Sequence, residues 1–532
     1  MKRFLLYSLC LVFFSPSLKS RAEDDFSTIQ KAITASIQQG PGGVVTLEPG
    51  RTYRLGTRPE AVGALTVIGA DGLTIDGNGA TLLAHPSCMV FAIAKSRNIT
   101  VKNLEIDYDP LPYTQAVIQS TDPESGTLTF VPMSGYPEPE VSDGYIDTHW
   151  SDSMFYDRDS RKIAHVHLRY RTISRNEDGT FTATFHWDPA SVSRVLAARK
   201  PGDFLTIKLP YYREAQPLRD TDGRLLAAYS AAIRVAYSKD VRVENVTLYA
   251  APRMGFGAVG SEGMVLDHYR VLRKPGTDRL ASLCSDGAHF KSVSIMPTLS
   301  HCHFEGTMDD AVHVKISSAC IVEKQGKKLV IVHNDIAYDD IAMEPGMRVS
   351  FYDFAAKRHL GFAVLHSVKP TQYRQAEIEL EEDVPEIFPG VLLYTCPETL
   401  LEVSDCTFKN SFNNALLVHP SAVIRNTWFE DVNVAIHAIT HEIIEGPMPP
   451  GLMTVENCDF VRCGDAAIAL YVPSPESLPE GSRALKLSQS RFRLSDHNGI
   501  AVRSHNQTGI DIEEISIESC DGVEPTAPIQ KF

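Results

Sequence analysis

A hydrophobic pattern that recurs along the chain constrains the fold more than any other feature. Each copy has an aliphatic residue, two polar positions, a small or thiol residue, one polar position and Phe, followed by a turn and a short alternating run. The clear copies begin at Leu299, Val403, Val455 and Leu487, and weaker ones at Val101, Val243, Ile424 and Ile512. Alternation is typical of half-buried strands, and copies that cannot bury their own apolar faces must stack. The repeat therefore predicts an all-β fold, a right-handed parallel β-helix.

A helix is predicted before the repeat begins. Asp25–Gln39 has apolar residues at helical spacing, and this helix is expected to cap the open end of the first coil.

Two later stretches of the chain interrupt the repeat. Both interruptions contain strands that alternate around turn residues, which predicts two inserted antiparallel β subdomains. The second insertion follows the coil that begins at Leu299, and we expect it to lie beside that coil.

The predicted segments are a signal peptide (1–22), the cap and first coils (23–109), the first insertion (110–232), the central coils (233–317), the second insertion (318–398) and the last coils (399–532).

The N-terminus and the net charge limit where the protein acts and what it binds. Residues 1–22 begin with Lys2 and Arg3, continue with an apolar run and end with small residues at Ser20 and Ala22, as in a secretory signal peptide. Export to the periplasm or the medium is therefore expected. No later run reaches the ~20 apolar residues of a membrane span, so no membrane insertion is expected. The net charge of −15 argues against nucleic acid or an anionic membrane as partner and favours a neutral ligand.

Three cysteines share one position of the repeat. They are Cys302, Cys406 and Cys458. Export permits disulfides, but equivalent positions in stacked coils predict an inward row of small apolar side chains instead of disulfides or a metal site.

One coil differs from the others by two adjacent acids, Asp309 and Asp310, in its turn. Asp286 lies 23 residues before Asp309, which is about one coil. Because neighbouring strands lie ~4.8 Å apart, the three side chains should share one patch on the outer wall. Crowded carboxyls repel one another unless they share a proton or a cation. Glycoside hydrolysis needs two carboxyls in different protonation states, so we predict that these three aspartates are catalytic.

Polar side chains around the acids are candidates for binding sugar hydroxyl groups. Three of them share the turn positions of the acid pair in neighbouring coils, two alternate with inward-facing valines in the strand that follows the pair, and one follows Asp286. These candidates are Arg253, Asn413, Asn414, His313, Lys315 and His289. An isolated Asp pair in such a turn is commonly only a solvated corner, and His289 could equally brace the turn.

Other chemically distinctive residues give weaker indications. His437 and His441 have a spacing that suits a metal on a helix, but the local pattern is strand and turn, so no metal ligand and no cofactor is predicted. Trp150 and Trp187, in the first insertion, could be sugar platforms or core residues.

The run from Asp286 through TMDDAVHV, together with the preceding LYAAPRMGFGAV, resembles glycoside hydrolase family 110, the exo-acting α-1,3-galactosidases that include enzymes cleaving the blood group B antigen. The likeness in architecture covers most of the chain, while its specific part is short, roughly Asn245 to Ser317. The resemblance implies an inverting, metal-independent hydrolase that removes terminal α-1,3-linked galactose with three aspartates. These match Asp286, Asp309 and Asp310, with Asp309 or Asp310 as acid and Asp286 helping the base.

Three other functions fit the same residues less well. The β-helix polygalacturonases are similar in carrying an Asp and then an Asp pair one coil later, but their Gly-His-Gly and Arg-x-Lys are absent at the expected coils. A β-helix polysaccharide lyase would hold calcium with the acids and use Lys315 or Arg253 as base. A non-catalytic glycan-binding solenoid would need none of this chemistry.

Overall fold

Parallel strands pair in register along the chain in the computed structural model, and they form the coils that the repeat predicts. The predicted parallel β-helix is therefore confirmed. The structure describes residues 25–56, 63–141, 152–211, 218–219, 225–227, 231–333, 343–353, 355–356, 358–372, 374–438, 452–470, 483–504 and 509–531. The predicted signal peptide, Trp150 and His441 lie outside these residues.

Two faces of the helix share one 19-stranded sheet. In three early coils one long strand runs along both faces; these strands are Thr74–Ala84, Arg97–Tyr108 and Lys239–Leu248. The other strands of the first face are Val44–Thr46, Val265–Asp267, Thr298–Ser300, Leu401–Ser404, Ala422–Arg425, Met453–Glu456, Leu485–Ser488 and Ile510–Glu513. Those of the second face are Thr52–Leu55, Arg270–Val271, His303–Glu305, Thr407–Lys409, Trp428–Glu430, Asp459–Val461, Arg491–Leu494 and Ser516–Ser519.

The third face is an 11-stranded sheet. Its strands are Leu65–Ile68, Phe91–Ala94, Ala231–Ala236, Met254–Val259, Ala288–Lys291, Val312–Lys315, Asn414–Val418, Val434–Ala438, Ala466–Leu470, Val502–Ser504 and Ile529–Lys531. The copies that begin at Val455 and Leu487, aligned with equal spacing, predict that Ile468 pairs with Ile500, but Ile468 pairs with Val502. That register prediction was wrong because the turn before this strand is two residues longer than the pattern allowed.

A row of phenylalanines on the second face packs the interior. Phe304, Phe408, Phe429, Phe460 and Phe492 belong to successive coils, and their near-parallel rings have centroids 5.2, 5.1, 5.1 and 4.7 Å apart. Each ring is almost completely buried. Because every ring contacts its neighbours, this row couples the packing of one coil to that of the next.

The three cysteines at the shared repeat position point into the core, as predicted. Cys302, Cys406 and Cys458 are buried, and the nine cysteines of the described residues are free thiols. Cys302 and Cys406 are neighbours, whereas Thr427 occupies the same position in the coil between Cys406 and Cys458. The row is therefore mixed in composition.

The predicted cap is a helix over Asp25–Gln39. Ile29 and Ile33 are buried and join the core of the β-helix at its first coil. The second described helix is Pro189–Ala197, which begins after Asp188, whose carboxylate accepts a hydrogen bond from the Ser191 N–H. Neither of these described helices combines the length and apolar character needed to cross a bilayer.

The first insertion forms a closed antiparallel barrel. Its strands are Tyr113–Asp122, Thr127–Pro132, Asp152–Tyr156, Ile163–Arg175, Phe181–Phe185 and Phe204–Lys208, and a ribbon of Leu218–Arg219 and Leu225–Ala227 follows. The β-helix resumes with the strand that begins at Ala231. The prediction placed the end of this insertion at residue 232, two residues later than the structure does.

The second insertion is also a closed antiparallel barrel. Its strands are Ser318–Gln325, Lys328–His333, Arg348–Asp353, Arg358–Gln372, Gln375–Leu380 and Leu392–Thr395. The acid pair precedes the strand Val312–Lys315, whereas this barrel follows it. The barrel is thus attached at the opposite end of that strand from the acids.

We expect Phe429→Ala to lower the thermal unfolding midpoint substantially. The change removes a buried ring that contacts Phe408 and Phe460, and buried Phe→Ala substitutions cost about 3–5 kcal/mol. Circular dichroism during heating measures the midpoint. Phe388→Ala, at a ring that is 47% exposed, is the control and should change it little; an equal loss in both variants would contradict the role of the row.

Candidate active site

The register of the third face brings Asp286 and Asp310 to the same position in adjacent coils. Ala288 pairs with Val312, and the Gly287 N–H donates to the Asp310 carbonyl at 3.0 Å. Asp309 is the residue before Asp310. One carboxylate oxygen from each of the three aspartates lies within 4.8 Å of the others. The structure therefore places the three predicted acids in one cluster.

Burial and mutual repulsion hold protons on this cluster. Asp286 and Asp310 are each 4% exposed, and Asp309 is half-buried. Burial, followed by the charge of Asp286, raises the pKa of Asp309 to about 6. Burial and the charges of Asp309 and Asp286 also raise the pKa of Asp310 well above its usual range. At least one carboxyl of the cluster therefore stays protonated at a pH where a solvated aspartate is ionised.

Asn414, in the next coil, orients Asp310. Its backbone N–H and its Nδ2 donate to Asp310 Oδ1 at 3.0 and 2.7 Å. Its Oδ1 lies 2.8 Å from His437 Nδ1 in the coil beyond. Because an amide oxygen only accepts, His437 must carry its proton on Nδ1. His437 thus contributes to the site through Asn414, whereas its spacing to His441 is not tested, because His441 lies outside the described residues.

Histidines cover the strands that follow the acids. His289 Nδ1 lies 2.7 Å from Asp286 Oδ2, and His313 Nδ1 lies 3.8 Å from Asp310 Oδ2. The two imidazole centroids are 4.4 Å apart, and His419 meets His313 edge-on at 5.6 Å. His289 and His313 are therefore next to the carboxyls, as the sequence predicted.

The other three predicted sugar ligands are placed by register. Arg253 and Asn413 fall in the same column as Asp309, one on each side of it along the β-helix, and both are half-buried. Lys315 lies two residues beyond His313, pairs in register with Lys291, and is buried. Asn414, His289 and His313 thus lie next to the acids, and Arg253, Asn413 and Lys315 belong to the same face of the helix.

The first barrel, instead of the second, closes over the acids. The positive charge of Lys208 lowers the pKa of Asp309, and the charge of Asp152 raises it. Both residues come from barrel strands and are 7% exposed. His167, on a third strand, lies 3.9 Å from Asp152, and its pKa is lowered by burial. The expectation that the second insertion lies beside the acids was wrong, because it leaves the helix past the far end of the strand.

Two aromatic side chains line the boundary between barrel and helix. His167 meets Trp187 edge-on, with ring centroids 4.8 Å apart, and Phe412 at 5.3 Å. Trp187 is 36% exposed, and Phe412 directly precedes Asn413. Of the two alternatives left open for Trp187, this position favours a sugar platform over a core residue.

Buried contacts fix the barrel on the helix. Tyr113 Oη donates to the Ala281 carbonyl at 2.7 Å, the Leu280 N–H donates to Gln115 Oε1 at 2.8 Å, and the Ile163 N–H donates to Asn410 Oδ1 at 3.0 Å. An apolar cluster of residues from both parts surrounds these bonds; it comprises Tyr113, Met154, Tyr156, Ile163, Leu280, Ala281, Cys284 and Met308. The barrel is thus packed against the loop that carries Asp286.

An ion-paired carboxylate also holds that loop. Asp107 is 1% exposed and accepts from Arg279 at 2.8 and 3.1 Å and from Lys274 at 2.7 Å. Displacement of this buried carboxylate would break its charge-assisted hydrogen bonds to both cations, so the ion pairs resist it. This triad therefore helps to keep Asp286 at the level of Asp310.

Sequence reasoning missed Asp152, His167 and Lys208. They lie in a segment without the repeat, so no register relates them to the acids. They are also far from the acids in sequence, and only the docking of the barrel on the helix brings them close. Trp150 and Trp187 were the only signals in the sequence that this segment could reach a ligand.

Two sets of side chains in this cluster have ligand atoms close enough to hold a cation. They are Asp286, Asp309 and Asp310, and Asp286, His289 and His313. Carboxylates without a cation must share protons, as the raised pKa values of Asp309 and Asp310 indicate. The absence of a metal remains a prediction.

The comparisons with known proteins agree with this chemistry. No family model matches the chain. Alpha-1,3-galactosidase A of Bacteroides fragilis is 22% identical over 464 residues, which span 82% of this chain and 72% of that protein. Alpha-1,3-galactosidase B of Bacteroides thetaiotaomicron is 22% identical over 90% of this chain and 81% of that protein. This chain is a glycosidase that is similar in sequence to these α-1,3-galactosidases.

The predicted resemblance is thereby confirmed, and the relatives imply a carbohydrate substrate for the glycosidase. Among solved structures, endo-xylogalacturonan hydrolase from Aspergillus tubingensis is 10% identical with a TM-score of 0.37, over 96% of this chain and 93% of that one. This second likeness is too weak to bear on the chemistry of the glycosidase.

We expect Asp310→Asn to stabilise the glycosidase at neutral pH. Folding raises the pKa of Asp310, so its ionisation opposes folding; this cost is absent below the pKa of the unfolded chain and grows as the pH rises towards the folded value. The amide keeps an oxygen for Asn414. The thermal midpoint should rise by roughly 1–3 °C at pH 7, which corresponds to about 1 kcal/mol, and the gain should shrink towards pH 4.

Asp431→Asn provides the contrast for this measurement. Asp431 forms ion pairs with Arg462 and Lys162 at 2.9 and 3.0 Å, so its neutralisation should lower the midpoint at pH 7. A lower midpoint in both variants would show that Asp310 is not under electrostatic strain.

Proposed function

We propose that the glycosidase removes terminal α-1,3-linked galactose from neutral glycans by an exo-acting, inverting mechanism. The observation that carries this proposal is the cluster of three carboxyls in which Asp309 keeps a proton up to a pH of about 6. The activity for which the relatives are named, α-1,3-galactosidase, supports the sugar and the linkage. Export, as expected from residues 1–22, would bring the enzyme to extracellular glycans.

Asp309 is the general acid in this proposal. It is the most exposed of the three aspartates, and a carboxyl with a pKa of about 6 is matched to donating a proton to the glycosidic oxygen near neutral pH. Lys208 and Asp152 pull its pKa in opposite directions. The barrel thus tunes a proton donor that the helix provides.

Asp286 acts as the base, and Asp310, whose raised pKa keeps it protonated, lies beside it. Each is buried and held by a partner, Asp286 by His289 and Asp310 by Asn414. A restrained carboxylate is better suited to orient and deprotonate water than to move onto the sugar as a nucleophile. The nearest oxygens lie within 4.8 Å, closer than the ~6.5–9.5 Å between carboxyl groups in typical inverting enzymes. Inversion therefore requires the water to bind beside the pair, on the open side of Asp309.

The first barrel supports exo action. Lys208, Asp152 and His167 lie on one side of the acids, and the coils lie on the other. A site enclosed in this way suits the end of a glycan better than the middle of one. Trp187, at its edge, offers an apolar ring face on which a sugar can stack.

One observation favours a polygalacturonase-like function as the second candidate. Lys291 and Lys315 pair in register on the face of the helix that carries the acids, and both are buried. Two neighbouring ammonium groups would suit a uronate carboxylate. The net charge of −15 opposes an acidic polymer, so we rank this function below galactose removal.

We expect the wild-type glycosidase to hydrolyse p-nitrophenyl α-galactoside or α-1,3-galactosyl oligosaccharides, and not oligogalacturonides, in a panel of α- and β-glycosides. NMR of the first product should show β-galactose, since inversion places water on the face opposite the leaving group. Asp309→Asn should lose at least about a hundredfold in kcat, the order contributed by general acid catalysis. Release of α-galactose would exclude inversion.

Two outcomes of that panel separate the alternatives. Cleavage of oligogalacturonides alone would favour the second candidate. An unsaturated uronide product, lost on treatment with a chelator, would identify a lyase.

We expect Lys208→Met to move the alkaline limb of the kcat/KM profile to higher pH. The acid works while protonated, so activity falls as the pH rises through the pKa of Asp309. Lys208 lowers that pKa, and its removal should therefore raise it. Lys200→Met, at an exposed lysine of the same barrel, is the matched control and should leave the limb in place. A shift to lower pH in Lys208→Met would refute Asp309 as the acid.

A further inference from the structure

The turn between the first and second faces repeats one unusual backbone conformation. In successive coils it places a residue at a positive φ of about 50°, a region that Asn and Asp tolerate better than most side chains. The residues at this position are Asn103, Asn245, His268, His301, Asp405, Asn426, Asn457, Gln489 and Glu514.

Asparagines in this column hydrogen-bond from coil to coil. Asn245 Nδ2 donates to Asn103 Oδ1 at 3.0 Å, and Asn457 Nδ2 donates to Asn426 Oδ1 at 2.9 Å. His268 and His301 interrupt this ladder in two adjacent coils. Histidine tolerates this backbone conformation as Asn and Asp do, and it brings a metal-binding nitrogen that the amides lack.

The two histidines converge on one carboxylate. His268 Nδ1 and His301 Nδ1 each lie 3.1 Å from Asp267 Oδ1. Their rings stack with centroids 4.6 Å apart at 17°. Ser300 Oγ donates to the same oxygen at 2.8 Å and fixes the orientation of the carboxylate. The side chains of both histidines are about half exposed, at 51% and 53%, so the set is open to solvent on one side.

These distances match a metal site. In a tetrahedral zinc site with bonds of about 2.0–2.1 Å, ligand atoms are ~3.3 Å apart. The Nδ1–Oδ1 distances here are 3.1 Å, and all three ligand atoms lie within 4.8 Å of one another. The near-parallel rings must turn about χ2 to direct both lone pairs at one ion, and exposed imidazoles have that freedom.

We propose that Asp267, His268 and His301 form a binding site for Zn²⁺ on the outer wall, with water completing the coordination. Two imidazole nitrogens and one carboxylate suit zinc, whereas Ca²⁺ and Mg²⁺ prefer oxygen ligands. On binding, the proton on each Nδ1 moves to Nε2 of the same ring through solvent, so both rings stay neutral. Ser300 acts as the outer partner of the carboxylate.

The site would tie together the two coils that carry the acids. Asp267 and His268 belong to the coil that continues to Asp286, and His301 belongs to the coil that continues to Asp309 and Asp310. Zinc bound here would lie in the turn before the second face, whereas the acids lie in the turn after it, so the ion would not take part in the reaction. It would instead hold the spacing between the two coils.

Isothermal titration calorimetry of the chelator-treated full chain with ZnCl₂ tests the proposal. Wild-type protein should bind one zinc at pH 7, and His268→Ala, His301→Ala and Asp267→Asn should each weaken binding by roughly tenfold or more. The thermal midpoint should rise with zinc in the wild type and not in these variants. Binding should weaken towards pH 5, because protons compete for the imidazoles.

His497→Ala is the matched control. His497 is also exposed and bonds a carboxylate through Nδ1, at 2.7 Å from Asp521, but it has no partner imidazole beside that carboxylate in the described structure. This variant should bind zinc like the wild type. Zinc binding that survives in His268→Ala and His301→Ala but is lost in His289→Ala would place the ion at the acid cluster and overturn the proposal, as would the absence of any binding.

Discussion

The ladder of backbone hydrogen bonds between coils is the constraint on which the glycosidase depends. It fixes equivalent residues of adjacent coils at strand spacing, ~4.8 Å, whatever their charge. Asp286 and Asp310 occupy one such position, so the ladder keeps two carboxyls together that would separate in a flexible loop. The apolar interior, with its row of phenylalanines, stabilises the ladder, and the raised pKa of Asp309 is the chemical result.

The helix and the first barrel have different roles at the acid corner. The coils supply the carboxyls and their direct partners, Asn414 and His289. The barrel supplies Lys208 and Asp152, which adjust the acidity of Asp309 from opposite directions, and it adds the ring of Trp187 at the edge. Substitutions in the barrel can therefore change the working pH or the bound glycan while the carboxyl cluster remains intact.

The sequence was sufficient for the fold and for the acid cluster because both follow from one periodicity. The repeat predicted the β-helix, and a separation of 23 residues related Asp286 to Asp309. It failed where the period is broken. The turn before Val502 shifted the register by two residues, and the docking of the first barrel, which brings Lys208 to Asp309, depends on tertiary contacts such as Tyr113 with Ala281. The repeat also led to a wrong position for the second insertion, because a repeat does not show at which end of the strand, near the acids or away from them, an insertion is attached.

The chain of contacts from His437 through Asn414 to Asp310, and on to Asp286, crosses four successive coils. Solenoids are exposed during assembly to slippage, in which a coil docks against the wrong neighbour with little loss of apolar packing. In this enzyme such slippage would move these four residues apart, and the molecule would lose its catalytic activity. Catalytic activity thus depends on the correct pairing of the coils. A molecule with slipped coils would be inactive, and would not act on other substrates instead.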